Sequence, residues 1–363
     1  MTTDELNFFE NKDPKPIATG TGLIALDVII NGHNRNEPYY MTGGSCGNVL
    51  IILSYFGWHT YPLGRFKEDN FSKFIIGDLK KWGVDTSYLK FDDKASTPVI
   101  IEKVRQKENG ESTHAFSFFC PECNSFLPRY RPVTIKQVES ILDNLPTSSV
   151  CYIDRVSGGT LEYAKSCKNK GALIFFEPTK IDDNSNFRKI LEICDVLKYS
   201  NEICITDPNI VRDSYVPLKI ETLGSSGLLF SFNNGLSRKR NEKWQKMRAF
   251  PIKNFVDAAG AGDWCSAGLI HFLNMKKITD INQLDEKTLK TALNFGQALA
   301  AANCRFFGAR GSMYALSKDN FHKFVNDILK KKDISTSNMP PLQLKRPKKN
   351  KGCCPICNEK NRV

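Results

Sequence analysis

The sequence predicts an α/β protein: a doubly wound, mostly parallel sheet with helices on both faces, plus a small β lid. Three observations point there. From residue 133 onward, apolar runs of strand length alternate with runs of helical period. Met41 to Gly57 opens on Gly43-Gly44 and continues apolar at helical spacing, a glycine turn feeding a buried helix. Pro98 to Val104 and Ser112 to Phe119 alternate around the turn Glu108-Asn109-Gly110, a hairpin standing apart from the α/β rhythm.

Taken in order, residues 21–30 form a near-continuous apolar run interrupted by Asp27, the pattern of a buried parallel strand ending in one carboxylate. Phe71 to Trp82 is an amphipathic helix closed by Gly83. The alternation then predicts helix 134–144, strand 149–153, helix 159–170, strand 172–176, helix 186–193 and strand 195–199. Strands follow at 218–223 and 227–232, a long helix starts near Gly262, and helices cover 287–303 and 319–331. Residues 333–352, rich in Ser, Pro, Asn and Lys, read as a linker. The expected organisation is one domain over 1–332, with lid elements at about 31–42 and 92–132, and a basic tail over 333–363.

With 41% hydrophobic and 25% charged residues, wholesale disorder and a fibrous fold are excluded. The net charge of +12 is local: residues 235–253 carry +6, residues 345–363 carry +6, and the remainder is neutral. That distribution argues against a nucleic-acid-coating surface. Met1-Thr-Thr-Asp-Glu lacks a basic and apolar leader, and no apolar run approaches the ~20 residues that span a bilayer, so a cytoplasmic protein is expected.

Of 12 cysteines, seven (Cys46, Cys151, Cys167, Cys194, Cys204, Cys265, Cys304) sit singly among apolar or small residues and read as buried free thiols. The others form two knuckles, Cys120-Pro-Glu-Cys123 and Cys353-Cys354-Pro-Ile-Cys357. Two C-x-x-C pairs supply the four thiolates of a structural zinc site, here Cys120, Cys123, Cys354 and Cys357, with Cys353 as a spare or alternative ligand. A redox motif would need a βαβ setting that neither pair has. Whether the site closes within one chain or between two is open.

The sharpest chemical motif is Asp257-Ala-Ala-Gly260-Ala261-Gly262-Asp263. Small residues at a helix opening free backbone N–H groups for a phosphate-like anion, and an aspartate there can take a proton from a neighbouring hydroxyl. Taken alone, it could equally be a tight turn with an N-cap. Thr222-Leu-Gly224-Ser-Ser-Gly227, between two apolar strands, is a turn that lets a nucleotide phosphate approach the backbone.

In this order the Asp27 strand, Gly43-Gly44-Ser-Cys-Gly-Asn48, the hairpin, Glu177-Pro178, Thr222-x-Gly224 and Gly260-Ala-Gly-Asp263 resemble the ribokinase/PfkB family of carbohydrate kinases, over roughly residues 20–330. The resemblance implies a ribokinase-like fold and ATP-dependent phosphorylation of a sugar hydroxyl. On it, Asp263 is the catalytic base, and Gly260, Ala261 and Gly262 form the anion hole. Asp27, Gly43, Gly44 and Asn48 hold the sugar. Thr222, Gly224 and Gly227 form the ATP turn, and Asn294 lies where the nucleotide pocket closes. The hairpin becomes a lid that excludes water. A magnesium ion, a dimer through the lid, and a monovalent cation as an open question come with the same resemblance.

Departures stand beside it. Cys46 and Leu50 replace small residues, Lys67 replaces a glycine, and Ala258 replaces a Thr, Ser or Pro. The family's N-x-x-E, which organises magnesium, appears only as Ser200-Asn201-Glu202-Ile203, out of register, so Asn201 and Glu202 carry that role on the resemblance from shifted positions. Lys198-Tyr-Ser200 echoes a Lys-Leu-Ser of fructokinase-like members. Arg129 and Arg131, beyond the first knuckle, could favour an acidic sugar if they reach the pocket; the plainer reading is solvated surface arginines. Two alternatives accompany the sugar kinase: a nucleoside kinase, and a weakened kinase-fold regulatory protein that uses the zinc tail and basic segments.

Overall fold

The computed structural model describes residues 8–9, 14–31, 38–106, 112–233, 243–252 and 254–330. Its frame is a nine-stranded sheet. Seven strands run parallel: β1 (Ile17–Thr21), β4 (His59–Phe66), β5 (Leu89–Phe91), β8 (Val150–Ile153), β9 (Leu173–Phe176), β11 (Val196–Ser200) and β13 (Leu218–Thr222). Strand β14 (Leu228–Phe232) adds antiparallel to β13, and β15 (Gln245–Met247) adds antiparallel to β14. The order is β15-β14-β13-β11-β9-β8-β1-β4-β5. From β1 the chain passes first to β4 on one side and later to β8 on the other. A doubly wound sheet opens a crevice where the winding reverses, at the carboxyl ends of its strands.

Both faces of this sheet are covered, and the strands show it by alternation. Val150, Tyr152, Leu173 and Phe175 belong to one apolar core, while Cys151, Ile153, Ile174 and Phe176 belong to another. The first core takes α1 (Ser45–Tyr55), α7 (Ala261–Met275), α8 (Glu286–Asn303) and α10 (Lys318–Leu329). The second takes α4 (Gly158–Asn169), α5 (Ser185–Ile193) and the short α3 (Ile135–Glu139) and α6 (Pro208–Arg212). Helices α7 and α8 meet at two glycines: a Cβ on Gly268 would lie 2.8 Å from the Gly296 Cα. Helix α2 (Asn70–Lys81) and the short α9 (Gly311–Ala315) complete the set, and a two-stranded pair, β10 (Lys180–Ile181) and β12 (Cys204–Ile205), lies beside the crevice. No described helix is long and apolar enough to cross a membrane.

A second sheet stands over the crevice. Its order is β3-β2-β6-β7, from β2 (Ala25–Asn31), β3 (Tyr39–Gly43), β6 (Val99–Gln106) and β7 (Ser112–Ser117). The run at 21–30 is therefore not one strand. The chain leaves the large sheet after Thr21, where Gly22 is pressed so close that a Cβ would fall 1.6 Å from the Asp154 Oδ1. Asp27 is consequently the third residue of a small-sheet strand. The helix expected over 134–144 stops at Glu139; beyond it the chain tightens into turns, with Ile141 N–H on the Val138 carbonyl and Asn144 N–H on the Ile141 carbonyl, each at 3.0 Å. Cys204, expected to be buried, is exposed on the short β12.

Helix beginnings separate scaffold from site. Helices α2, α4, α5, α8 and α10 start on side-chain caps from Asp69, Ser157, Asn184, Asp285 and Ser317. Helices α1 and α7 start instead on Gly44 (φ 79°) and Gly260 (φ 72°), with no side-chain cap. Both open onto the crevice.

Candidate active site

The crevice is a cleft of about 780 Å³. Asp27, Gly44, Asn48, Glu102, Gly260, Ala261, Gly262 and Asp263 line it, together with Phe116 and Phe118 from the small sheet. At its floor, the left-handed Gly260 sits where a Cβ would be 2.3 Å from the Ala309 oxygen, so only glycine fits. The Ala261 N–H is spent on the Ala258 carbonyl. The amides that the first turn of α7 leaves for an anion are therefore those of Gly262 and Asp263, not that of Ala261.

Asp263 is 8% exposed, and its Oδ2 accepts a 2.7 Å hydrogen bond from Asn48 Nδ2. Asn48 Oδ1 in turn accepts from Arg310 Nε at 3.1 Å. Arg310, fully buried, spends Nη2 on the Thr42 carbonyl and on Asp78 Oδ2 at 3.2 Å. Burial raises the Asp263 carboxyl to about 8, with the Glu177 charge adding to it while Asn48 and Lys198 oppose. A base that titrates near the working pH suits proton abstraction.

Glu177 anchors the far wall. It accepts from Tyr152 Oη at 3.0 Å, from Ser266 Oγ at 2.5 Å and from Lys198 Nζ. Lys198 also donates to the Gly262 carbonyl at 3.2 Å, gripping the anion-hole loop from behind. Burial works against the Lys198 charge, but Glu177 outweighs it and the ammonium is held above its ordinary value. Asp154 staples two glycine turns, accepting from Leu23 N at 2.8 Å and Cys46 N at 3.1 Å. This places the backbone of Cys46, whose presence in a small-residue segment the motif alone did not explain.

Asp27 packs on Gly43 so closely that a Cβ there would fall 1.7 Å from its Oδ2. Burial lifts its carboxyl to about 7, moderated by Arg310. Asp27, Gly43, Gly44 and Asn48 thus gather at the α1 end of the cleft. Arg129 and Arg131 do not join them. Both are exposed, and the Arg129 guanidinium lies over the Phe126 ring, 4.4 Å from its centroid. The arginine that lines the cleft is Arg155, bound to Asp154 Oδ2 at 3.4 Å.

The residues expected on the nucleotide side lie apart. Thr222, Gly224 and Gly227 form a turn closed by Leu223 N–H on the Gly227 carbonyl at 2.8 Å. Gly227 has φ 95°, and a Cβ on it would be 2.0 Å from the Met247 oxygen. Asn294 lines a separate open groove of about 670 Å³ with Met247, Glu286 and Lys290. Asn201 N–H bonds the Thr222 carbonyl at 3.0 Å, and Glu202 lines the main cleft. Of the first basic segment, Lys243, Lys246 and Arg248 lie on or beside β15, while Arg238, Lys239, Arg240 and Lys253 fall outside the described residues.

Three metal expectations meet the structure differently. Glu202 offers an oxygen ligand at the cleft wall and fits a hard divalent ion. Beside the anion hole, three carbonyl oxygens converge as a monovalent cation would require. Here the Asn303 amide takes all three: Ala259 O at 3.3 Å, Gly308 O at 3.3 Å and Ala309 O at 3.1 Å. The zinc expectation is half visible. Cys120 is buried and Cys123 exposed, while Cys354 and Cys357 lie outside the described residues. Among the described residues no group of three or more His, Cys, Asp or Glu is placed to hold a metal.

Sequence reasoning missed Arg310, Glu177 as a charge partner, Asp154 and Glu102. Only Glu102 carried a visible signal, a carboxylate inside the apolar run Val99-Ile-Ile-Glu102.

Residues 22–202 and 211–316 match the pfkB family carbohydrate kinase profile. A fructokinase of Salmonella typhimurium is 27% identical over 299 residues, covering 76% of this chain and 88% of that protein. A 2-dehydro-3-deoxygluconokinase of Thermoproteus tenax is 26% identical over 310 residues, covering 77% and 88%. Among solved structures, fructokinase from Vibrio cholerae O395, with fructose, ADP and a calcium ion bound, superposes with a TM-score of 0.61 at 19% identity, covering 86% of this chain and all of that one. Arabidopsis thaliana ribokinase, complexed with ribose and ATP, gives 0.59 at 17% identity, covering 87% and 99%. At such identities the structures speak for the ribokinase-like fold. The profile match, spanning most of the chain and containing the Asp263 helix opening, establishes that this protein belongs to the pfkB family of carbohydrate kinases.

Proposed function

We propose that the protein transfers the γ-phosphoryl group of ATP to a hydroxyl of a neutral, fructose-like sugar. The observation that carries this is the meeting of Asp263, the free amides at the opening of α7, and the Asp27–Asn48 wall in one cleft. Asp27 and Asn48 orient the acceptor. Asp263 takes the hydroxyl proton as that oxygen bonds to the γ-phosphorus and the bond to the ADP oxygen breaks. The Gly262 and Asp263 amides stabilise the charge on the transferring group. The Asn294 groove and the Gly224–Gly227 turn fit the nucleotide, because Gly224 leaves its backbone open, with nothing within 4 Å of where a Cβ would stand. A magnesium ion held by Glu202 and Asn201 would neutralise phosphate charge.

ADP release measured over a panel of sugars and nucleosides tests this. Turnover with a hexose that falls about 10²–10⁴-fold in Asp263→Asn, with ATP KM unchanged, is expected. A preference for a nucleoside would replace the sugar reading. No turnover across the panel, with salt-sensitive RNA binding, would favour the regulatory reading instead.

The C-terminal tail supplies a finer reading, that zinc joins Cys120 and Cys123 to Cys354 and Cys357 beside the small sheet. Its support is the shape of the first knuckle. Asn124 takes the left-handed conformation (φ 54°) and donates N–H to the Cys120 carbonyl at 3.0 Å, folding the C-P-x-C segment into a tight turn. Zinc measured on purified protein should reach about one per chain and fall to background in Cys120→Ser. Metal content unaffected by that substitution sinks the idea.

A further inference from the structure

Strand β6 carries Glu102 into the cleft opposite Ile29 of β2 and Phe116 of β7. It is 1% exposed, yet its Oε1 has no hydrogen-bond partner. Its carboxyl group faces that of Asp257 at hydrogen-bonding reach. Asp257 is committed as an acceptor: Oδ1 takes the Ala259 N–H at 2.9 Å and Oδ2 the Gly308 N–H at 2.8 Å. Both donors flank the anion-hole loop. A buried acceptor left open at a ligand-sized cleft costs stability unless a ligand group satisfies it.

We propose that Glu102 is an acceptor-recognition residue: its Oε1 receives a hydrogen from a hydroxyl of a neutral polyol, while its other oxygen, bonded to Asp257, ties the small sheet to the anion-hole loop. The inference rests on the kinase reading above and names the acceptor class it takes. The proton on Glu102 lies toward Asp257, which leaves Oε1 as a carbonyl-like acceptor without charge. Burial, then the Asp257 and Asp27 charges, hold this carboxyl well above the usual range, which favours its protonated form. The groups facing it are Asp257, from the loop before α7, and Asp27, from β2. The nearby cation, Arg310, is directed to Thr42, Asn48 and Asp78. Three carboxyl groups at this end of the cleft disfavour a carboxylate or phosphate on the acceptor there. A hydroxyl meets no such penalty.

The test is steady-state kinetics on the full chain with D-fructose, its monodeoxy analogues and 2-dehydro-3-deoxygluconate, for wild type, Glu102→Gln and Glu102→Leu, with melting curves as the folding control. Glu102→Leu should raise the D-fructose KM about 10–100-fold with ATP KM unchanged. One monodeoxy analogue should lose about tenfold or more in wild type and nothing further in Glu102→Leu, because the lost hydroxyl and the lost carboxyl are the same bond. Glu102→Gln keeps the oxygen and a donor toward Asp257, so it should stay near wild type. An unchanged KM in Glu102→Leu, equal losses for every analogue in both proteins, or a preference for the sugar acid overturns the assignment while leaving the kinase standing. Absence of turnover with every acceptor and intact folding overturns both.

Discussion

The two ends of the site are built on opposite principles. At the acceptor end, charge is buried and chained: Asp263 to Asn48, Asn48 to Arg310, Arg310 to Asp78, with Asp27 and Glu102 close by. At the nucleotide end, backbone does the work. A glycine turn, a carbonyl-bonded Asn201 and an open groove offer shape and amides with few desolvated charges. Desolvation makes each electrostatic contact strong and each loss costly, while exposed backbone sites are screened and forgiving. The acceptor end should therefore set specificity and the rate, and the nucleotide end mainly affinity.

The largest break in that comparison is Arg310→Met. It strips the only guanidinium bonded to Asp78 and Asn48 among the described residues, leaving a buried carboxylate uncompensated at about 3–5 kcal/mol. A steep drop in Tm should accompany a large loss of kcat. A variant that melts like wild type would show that the chain of bonds is not holding the acceptor wall.

Next is pH. Since Asp263 is raised to about 8, it is protonated below that and unable to accept the hydroxyl proton. The value of kcat/KM should rise about tenfold per unit toward pH 8 and then level. A rise centred near 4 would mean that burial does not govern this carboxyl.

Gly227→Ala probes the other end. A Cβ 2.0 Å from the Met247 oxygen, at φ 95°, should cost about 1–3 kcal/mol and raise ATP KM several-fold. The acceptor KM should hold; if it moves equally, the two ends are coupled and the comparison fails. The smallest expected effect is a cation exchange. With the Asn303 amide already on the three carbonyl oxygens, replacing potassium by tetramethylammonium at constant ionic strength should change kcat less than about twofold. Strong potassium activation would show that Asn303 gives way to the ion.

Local patterns were legible because they repeat or constrain the backbone. The β/α alternation, the glycine openings of α1 and α7 and the Asp263 motif each leave a periodic or compositional mark. The split at Gly22 was not legible, since an apolar run looks the same whether one sheet or two receive it. Only the approach of Asp154 divides it. Arg129 and Arg131 read most plainly as solvated surface arginines and are exposed, while Arg155, which left no signal in the sequence, lines the cleft.

The sequence by itself determined the fold class and the glycine-opened helix that carries Asp263, because those depend on residues within a few positions of one another. The tertiary structure alone decided which charges stand beside Asp263. Glu177, Lys198 and Asp154 come from separate elements, and the bonds that join Arg310 to Asn48 and Asp78 span 262 and 232 residues. What a buried carboxyl does depends on its nearest charges and on the water it has lost. Both are set by which strands and helices pack together, and no short stretch of sequence records that.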